Sequence, residues 1–426
     1  MIRPQAHGTR IGDSLRVILP NFLFEDSISG RRTRRHTHLR SVMDSLAPLT
    51  ALTGNPGDTV VVSPDKIPSL LPDPLSHVSY ITIDEIQKKT AVSSTNVFLS
   101  PWGWDSTARL LAESLGSLEA VPTEASVLAV NGRRFLADFD LMHGGNEDRI
   151  FNGKFGRLCN NITELQEGIV ELADQGIGQW VAKPAYSASG RNQLSGRSPV
   201  LNVHQQSWLR RQLDSCGYIY LEPWLPVIRE CGIQLHLLPS ASGCSAVQID
   251  GITEFVTDRN GRYVGSMLTP QHDSLWCPAV GHALRVGQRA KDLGYFGPLG
   301  IDCMQVMLPD RRPVLRLCHD VNGRMTMGRL ALQLRRHLGT MNSGVWLHST
   351  YMDQTEDRRS DGKHPAIDAA GIVEVIRVSP EMIGNQPAAV NSRLYVTDSR
   401  EAAENLVQSY RQQSNSSSSA ADDDAK

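Results

Sequence analysis

The first 120 residues alternate short, β-branched apolar runs with stretches of helical spacing. The runs at 15–23 (LRVILPNFL), 59–62 (TVVV), 78–83 (VSYITI) and 96–99 (NVFL) are bounded by Gly, Pro or Asp and read as strands. Residues 101–105 (PWGWD) end the fourth run, and Asp105 or Ser106 then N-caps a helix whose Leu110, Leu111 and Leu115 recur at helical spacing. Strands interleaved with helices imply a mostly parallel sheet, with any ligand near the C-terminal ends of its strands. Further on, a helix starts near 122–124 and runs toward 131–135. Thr163 opens another, with Gln166 as its capping-box partner and Leu165, Ile169 and Leu172 on one face. Strands follow at 179–183 and 218–221, separated by a helix around 205–214. Residues 249–264 read as a hairpin turning at Asn260-Gly261. Residues 299–307 and 313–321 form a further strand pair, joined by 309–312 (PDRR). Beyond 340 one strand is clear, at 371–378, and no repeat recurs.

Composition narrows the class. Of 426 residues 40% are hydrophobic and 21% charged, which excludes a wholly disordered or fibrous chain. A formal net charge of -2 supplies no general attraction for nucleic acid or an anionic membrane, and no nucleic-acid or membrane partner is expected. No apolar run approaches the roughly 20 residues of a membrane span. The first 22 residues lack the apolar core of a signal peptide. Seven scattered cysteines, never spaced Cys-x-x-Cys, fit reduced thiols in a cytoplasmic protein. The basic run 31–40 (RRTRRHTHLR) reads as a solvated loop or helix face, and the Ser-rich, acidic residues 413–426 as an unfolded tail.

The common nucleotide and hydrolase motifs are missing: no G-x-x-x-x-G-K-[ST], no G-x-G-x-x-G, no H-E-x-x-H and no G-x-S-x-G occurs. Three other segments converge on one chemistry. In 180–192 (WVAKPAYSASGRN), Lys183 ends a strand before a loop of small residues, so an ammonium and the backbone of Ser187, Ser189 and Gly190 can close over a polyphosphate. In 218–226 (YIYLEPWLP), a strand ending in Glu222 runs into an apolar turn whose backbone can meet an adenine edge. Pro223 can only accept there, Trp224 lies within the turn, and Leu225 is the better donor. Glu230, just beyond, can accept from ribose hydroxyls. In the third segment, Asp302 and Asp320 face each other across a hairpin, and Asn322 shares the face of Asp320 by the two-residue period. Two carboxylates and an amide oxygen suit Mg²⁺ bridging phosphates. Arg324 then offers a planar cation to the transferring phosphoryl group.

This ordered set resembles the ATP-grasp superfamily over residues 121–339, about half the chain. The resemblance implies an α/β and α+β chain: a pre-ATP-grasp parallel-sheet domain (1–120), a two-subdomain ATP-grasp fold (121–340), a C-terminal α/β extension (341–412) and the tail. It implies ATP between the subdomains, Lys183 on the phosphates, Glu222–Leu225 at adenine, and magnesium on Asp302, Asp320 and Asn322. The family's acid-x-Asn-x-Arg pattern usually begins with Glu; Asp320 is one methylene shorter. Arg133, Arg134 and Lys154 are the candidates for a second phosphate-binding cation. The activity implied is that of a carboxylate–amine ligase, in which ATP converts a small-molecule or peptide carboxylate to an acyl-phosphate for attack by an amine-type acceptor. A kinase-like phosphotransferase and a nucleotide-binding regulator without turnover are the alternatives. The expected acceptor pocket draws on the N-terminal domain and on loops near 131–134 and 272–278. The segment 341–410 has two open roles, a cap over the site or a homodimer contact.

Neighbouring residues have structural readings. His319 is expected to point to the opposite strand face and pack there. Trp102 and Trp104 fill a domain interface, and Cys303, Cys318, Met325 and Met327 are core.

Overall fold

The structure, a computed structural model, describes residues 14–30, 37–91, 96–143, 150–151, 154–186, 192–239, 247–258, 261–270, 273–340, 342–350 and 371–422. Residues 31–36 of the basic run, the Asn260 corner and His272 lie outside the described residues. Residues 37–40 begin the helix Thr37–Leu46.

The four N-terminal apolar runs become a parallel sheet in the order Ser79–Ile81, Thr59–Val61, Ser14–Leu19, Asn96–Pro101, with Val17 in register with Thr59 and Leu99. Asp105 caps the helix Ser106–Ser114 by accepting from the Ala108 N–H at 2.8 Å. The first run is shorter than expected: Pro20 ends it, and Phe24–Ile28 is helical.

A second, antiparallel sheet runs in the order Arg157–Cys159, Ile219–Pro223, Trp180–Pro184, Leu194–Gly196. Helices Ile162–Asp174 and Val203–Cys216 accompany it. The first of these starts earlier than Thr163. Asn161 is the cap, accepting from the Glu164 N–H, because a short amide two residues upstream outcompetes the hydroxyl inside the first turn. Asn202 and Gln205 form a full capping box on the second helix, and Gly217 closes it at φ 75°.

The third sheet holds nine strands, in the order Ile372–Arg377, Val390–Thr397, Ser343–Thr350, Tyr263–Leu268, Val247–Thr257, Val227–Leu237, Gly297–Met307, Pro313–Asn322, Met142–His143. Its sixth strand, Val227–Leu237, was not anticipated. Cys231, Ile233, Leu235 and Leu237 alternate into the core with no exposure, and that face meets the equally unanticipated helix Cys277–Asp292. The helix was masked by two glycines among small apolar residues. Gly287 is there for close approach: a Cβ would lie 2.8 Å from Val247 Cγ1.

The described part of 341–412 continues this sheet. Ser343–Thr350 pairs with Tyr263–Leu268, and the final helix sets Ala403, Leu406 and Val407 against Val256, Met267, Val345 and Leu347. That helix, Arg400–Asp422, crosses most of the segment expected to be unfolded. Its docked turns supply the nucleus, and extending an existing helix costs little. Among the described residues no helix is long and apolar enough to cross a membrane.

Gly265 lies where the third sheet is tightest, and a Cβ there would press into the Trp346 carbonyl. Gly265→Ala is expected to cost about 1–3 kcal/mol, the usual range for forced overpacking. Chemical denaturation checks it, and an unchanged midpoint would contradict the close pairing.

Candidate functional site

The two antiparallel sheets meet at a cluster of charged side chains taken out of water. On the smaller sheet Lys183 is in register with Tyr220 and diagonal to Glu222, so all three share one face. Lys183 Nζ pairs with Glu222 Oε1 and donates to His319 Nε2 at 3.1 Å. From the large sheet, Arg316 donates to Glu222 Oε2 at 2.8 Å and through Nε to Asp140 Oδ1 at 2.7 Å. Tyr220 Oη donates to the other Asp140 oxygen, and the Arg316 guanidinium lies 4.7 Å over the Phe155 ring. Arg133 pairs with Asp320. Three cations thus face three carboxylates, and Lys183, Glu222, Arg316, Asp140 and Arg133 are all buried.

Environment sets the protonation. Burial would raise the Glu222 carboxyl, but Arg316 and Lys183 hold it well below the usual carboxylate range. Burial lowers Lys183 despite Glu222. Burial, reinforced by Lys183 and Arg316, pushes His319 down to about 4, so it is neutral and accepts from Lys183.

Asp302 and Asp320 are direct register partners across the hairpin, and Asn322 Nδ2 donates to Asp302 Oδ2 at 3.2 Å. Burial and the facing Asp320 push Asp302 up to about 7. Burial acts the same way on Asp320, but Arg133 and Lys183 outweigh it and lower that carboxyl. Among the described residues no group of three or more His, Cys, Asp or Glu is placed to hold a metal ion, so the acidic donors here number two. Arg324 pairs with Glu25, donates to Asn322 Oδ1 at 3.0 Å and stacks 5.7 Å from the Trp102 ring.

His319 is a correction. The strand pair is in register at Asp302–Asp320 and again at Met304–Arg316, so Leu317, Cys318 and His319 lie opposite Cys303 alone. That bulge breaks the two-residue alternation and turns His319 toward Lys183. The other expected groups are spread more widely. Glu230 is half-buried, bonded to Thr257 and raised by burial. The Trp224 N–H is taken by the Gln179 carbonyl at 2.8 Å. A cavity of about 430 Å³, lined by Trp224, Leu225, Arg197, Gly178, Met307 and Pro309, sits at the start of the lysine strand, the end away from Lys183. Arg134 stacks on Tyr218, and Lys154 donates to the Ala137 carbonyl at 2.7 Å. Ser187, Ser189 and Gly190 lie outside the described residues. Sequence reading missed Asp140, Tyr220 and Arg316. Arg316 carried a signal: one charge inside an apolar strand (PVLRLC) needs a buried partner.

By overall structure the chain is similar to an N5-carboxyaminoimidazole ribonucleotide synthetase in its ADP complex (TM-score 0.51, 13% identity, 94% of this chain and 98% of that one). It is similar also to N5-carboxyaminoimidazole synthetase from Staphylococcus aureus (TM-score 0.53, 9% identity, 95% and 98%). The fold is that of the ATP-grasp ligases. By sequence the chain is similar to the [butirosin acyl-carrier protein]–L-glutamate ligase of Niallia circulans, 24% identical over 192 residues, 41% of this chain and 40% of that protein. It therefore spans about two fifths of that relative's length. No family model matches the chain.

Two outcomes follow from the buried charges. Arg316→Met leaves Asp140 and Glu222 without their guanidinium, and denaturation should show a loss of about 3–5 kcal/mol. A loss under 1 kcal/mol would mean that the cluster relaxes into water. Asp302, raised from 3.8 to about 7, keeps its proton in the folded chain where the unfolded chain has lost it. Its contribution is therefore fully present below the unfolded value and is lost as pH rises toward the folded one. The stability of Asp302→Asn relative to the parent should thus climb between pH 4 and pH 7, as about half a dozen melting curves would show. A pH-independent difference would contradict the facing carboxylates.

Proposed function

We propose that the protein is an ATP-dependent ligase that activates a carboxylate, on a small molecule or peptide, for attack by an amine-type acceptor. The observation that carries this is the juxtaposition, in this fold, of the Asp302–Asp320 pair with the Lys183–Glu222 cluster. The relatives support the same chemistry, since the curated one is named as a glutamate ligase and one structural neighbour is an ADP complex.

Magnesium fits the donor set. Asp302 and Asp320 are partners across the hairpin, and Mg²⁺ usually takes one or two carboxylates plus phosphate oxygens and water. Asp302 and Asp320 would hold it with the Asn322 oxygen, and it would supply charge neutralisation of the phosphates. The chain's own groups do the rest. Lys183 sits at the strand end with Glu222 as its resting partner, so an incoming phosphate competes with a carboxylate for one ammonium. Arg324 presents a fixed guanidinium beside the carboxylate pair. Positioning and charge stabilisation account for the catalysis, and no protein nucleophile is required.

A second reading, a nucleotide-binding regulator without turnover, draws on the same cluster: Lys183 and Arg133 are both already neutralised by Glu222 and Asp320. ADP release separates the two readings.

In the ligase reading, Mg²⁺–ATP raises the melting temperature as binding to the native state must. Asp302→Asn and Asp320→Asn keep nucleotide binding but lose ADP release, by about 100-fold or more with a panel of carboxylates and amines. Undiminished turnover in Asp302→Asn would refute the metal assignment. Parent protein that binds ATP yet never releases ADP would select the regulator.

A further inference from the structure

Arg324 is held from an unexpected direction. Its Nε–H pairs with Glu25, which belongs to the short helix Phe24–Ile28 of the N-terminal unit, 299 residues away in sequence. Both side chains are about nine-tenths buried, at 9% and 12% exposure, so the pair is little screened by water. The remaining contacts fix the plane of the guanidinium: NH1 donates to the Met325 carbonyl at 2.8 Å, NH2 to Asn322 Oδ1 at 3.0 Å, and the Trp102 ring covers one face at 5.7 Å. Glu25 is itself held by a rigid corner. A Cβ on Gly103 would collide with the Phe24 ring, and Asn21 bonds Gly103 in both directions, at 2.8 and 3.3 Å. Met325 N–H closes the joint on the Trp102 carbonyl at 2.8 Å.

The alternative partners of Arg324 explain why such a clamp matters. Asp302 lies close enough for Arg324 to lower its carboxyl, and Asn322, already bonded to Arg324, also donates to Asp302. Asp302 has no cation as an ion-pair partner among the described residues, so a guanidinium freed from Glu25 would be drawn toward it and would neutralise a group assigned to the metal. We infer that Glu25 is the positioning residue for Arg324: it draws the guanidinium away from the Asp302–Asp320 pair, so that the N-terminal unit completes the phosphoryl-transfer site. This rests on the ligase reading for the role of Arg324, whereas the clamp itself can be tested by binding alone.

The test is a double-mutant cycle of Glu25→Gln with Arg324→Ala in the full chain. Magnesium is titrated calorimetrically against protein saturated with a non-hydrolysable ATP analogue, and ADP release is measured in parallel. Glu25→Gln should raise the Mg²⁺ midpoint by about 10–100-fold, the usual effect of removing a group that orients a metal site. Glu25→Asp, which keeps the charge on a shorter arm, should fall between. In the Arg324→Ala background Glu25→Gln should change the midpoint by less than about twofold, because there is then no guanidinium to release. An effect of Glu25→Gln that persists undiminished without Arg324, or an unchanged midpoint in the single variant, overturns the assignment. Glu25→Gln failing to fold while Glu25→Asp behaves as parent also overturns it, since the carboxylate would then be structural. A shifted midpoint in a protein that never releases ADP retains the clamp and rejects the ligase.

Discussion

Everything at the junction of the two antiparallel sheets depends on balancing charge where water is excluded. Arg316 is the hinge of that balance: fully buried, it spans Asp140 and Glu222, and through Glu222 it reaches Lys183. Removing any one member strands another in a low-dielectric pocket, so the cluster has to be whole or absent. In the proposed ligase reading, a polyphosphate would bring negative charge to a region whose cations are already matched, and would have to displace an internal carboxylate or arrive with a divalent ion.

The same reasoning explains why Asp302 stands apart. The other carboxylates of the junction have a guanidinium or ammonium as partner. Asp302 has only the Asn322 amide as a hydrogen-bond donor, and burial together with the facing Asp320 carboxylate raises its proton affinity toward neutrality. In the proposed ligase reading, this is where magnesium would sit. The N-terminal sheet supports this arrangement: its Trp102 loop and Phe24–Glu25 turn pack against the Asn322–Met325 segment and hold Arg324.

Much of this was legible in the sequence because it lay in local pattern. Parallel strands showed as β-branched runs cut by Gly and Pro, and the facing aspartates followed from two adjacent strands and a two-residue period. What stayed hidden was non-local. Arg316 and Asp140 are 176 positions apart and meet only when two sheets close, so neither run of sequence marks the other as its partner. His319 was misplaced because a bulge, set by three-dimensional register, broke the alternation that reading relied on. The helix Cys277–Asp292 was obscured by Gly287, whose value lies in close packing against Val247 rather than in helix propensity.

The most direct test of carboxylate activation is the fate of oxygen. Incubating the protein with Mg²⁺–ATP, a panel of ¹⁸O-labelled carboxylates and hydroxylamine as a general acyl acceptor, then analysing the phosphate by mass spectrometry, reports whether a carboxylate oxygen crosses to phosphorus. An acyl-phosphate route yields ADP and inorganic phosphate carrying one ¹⁸O from the acid, because the carboxylate attacks phosphorus and the later nucleophile breaks the acyl C–O bond. ADP accompanied only by unlabelled phosphate would contradict it, since ATP would then be passing its phosphoryl group to water.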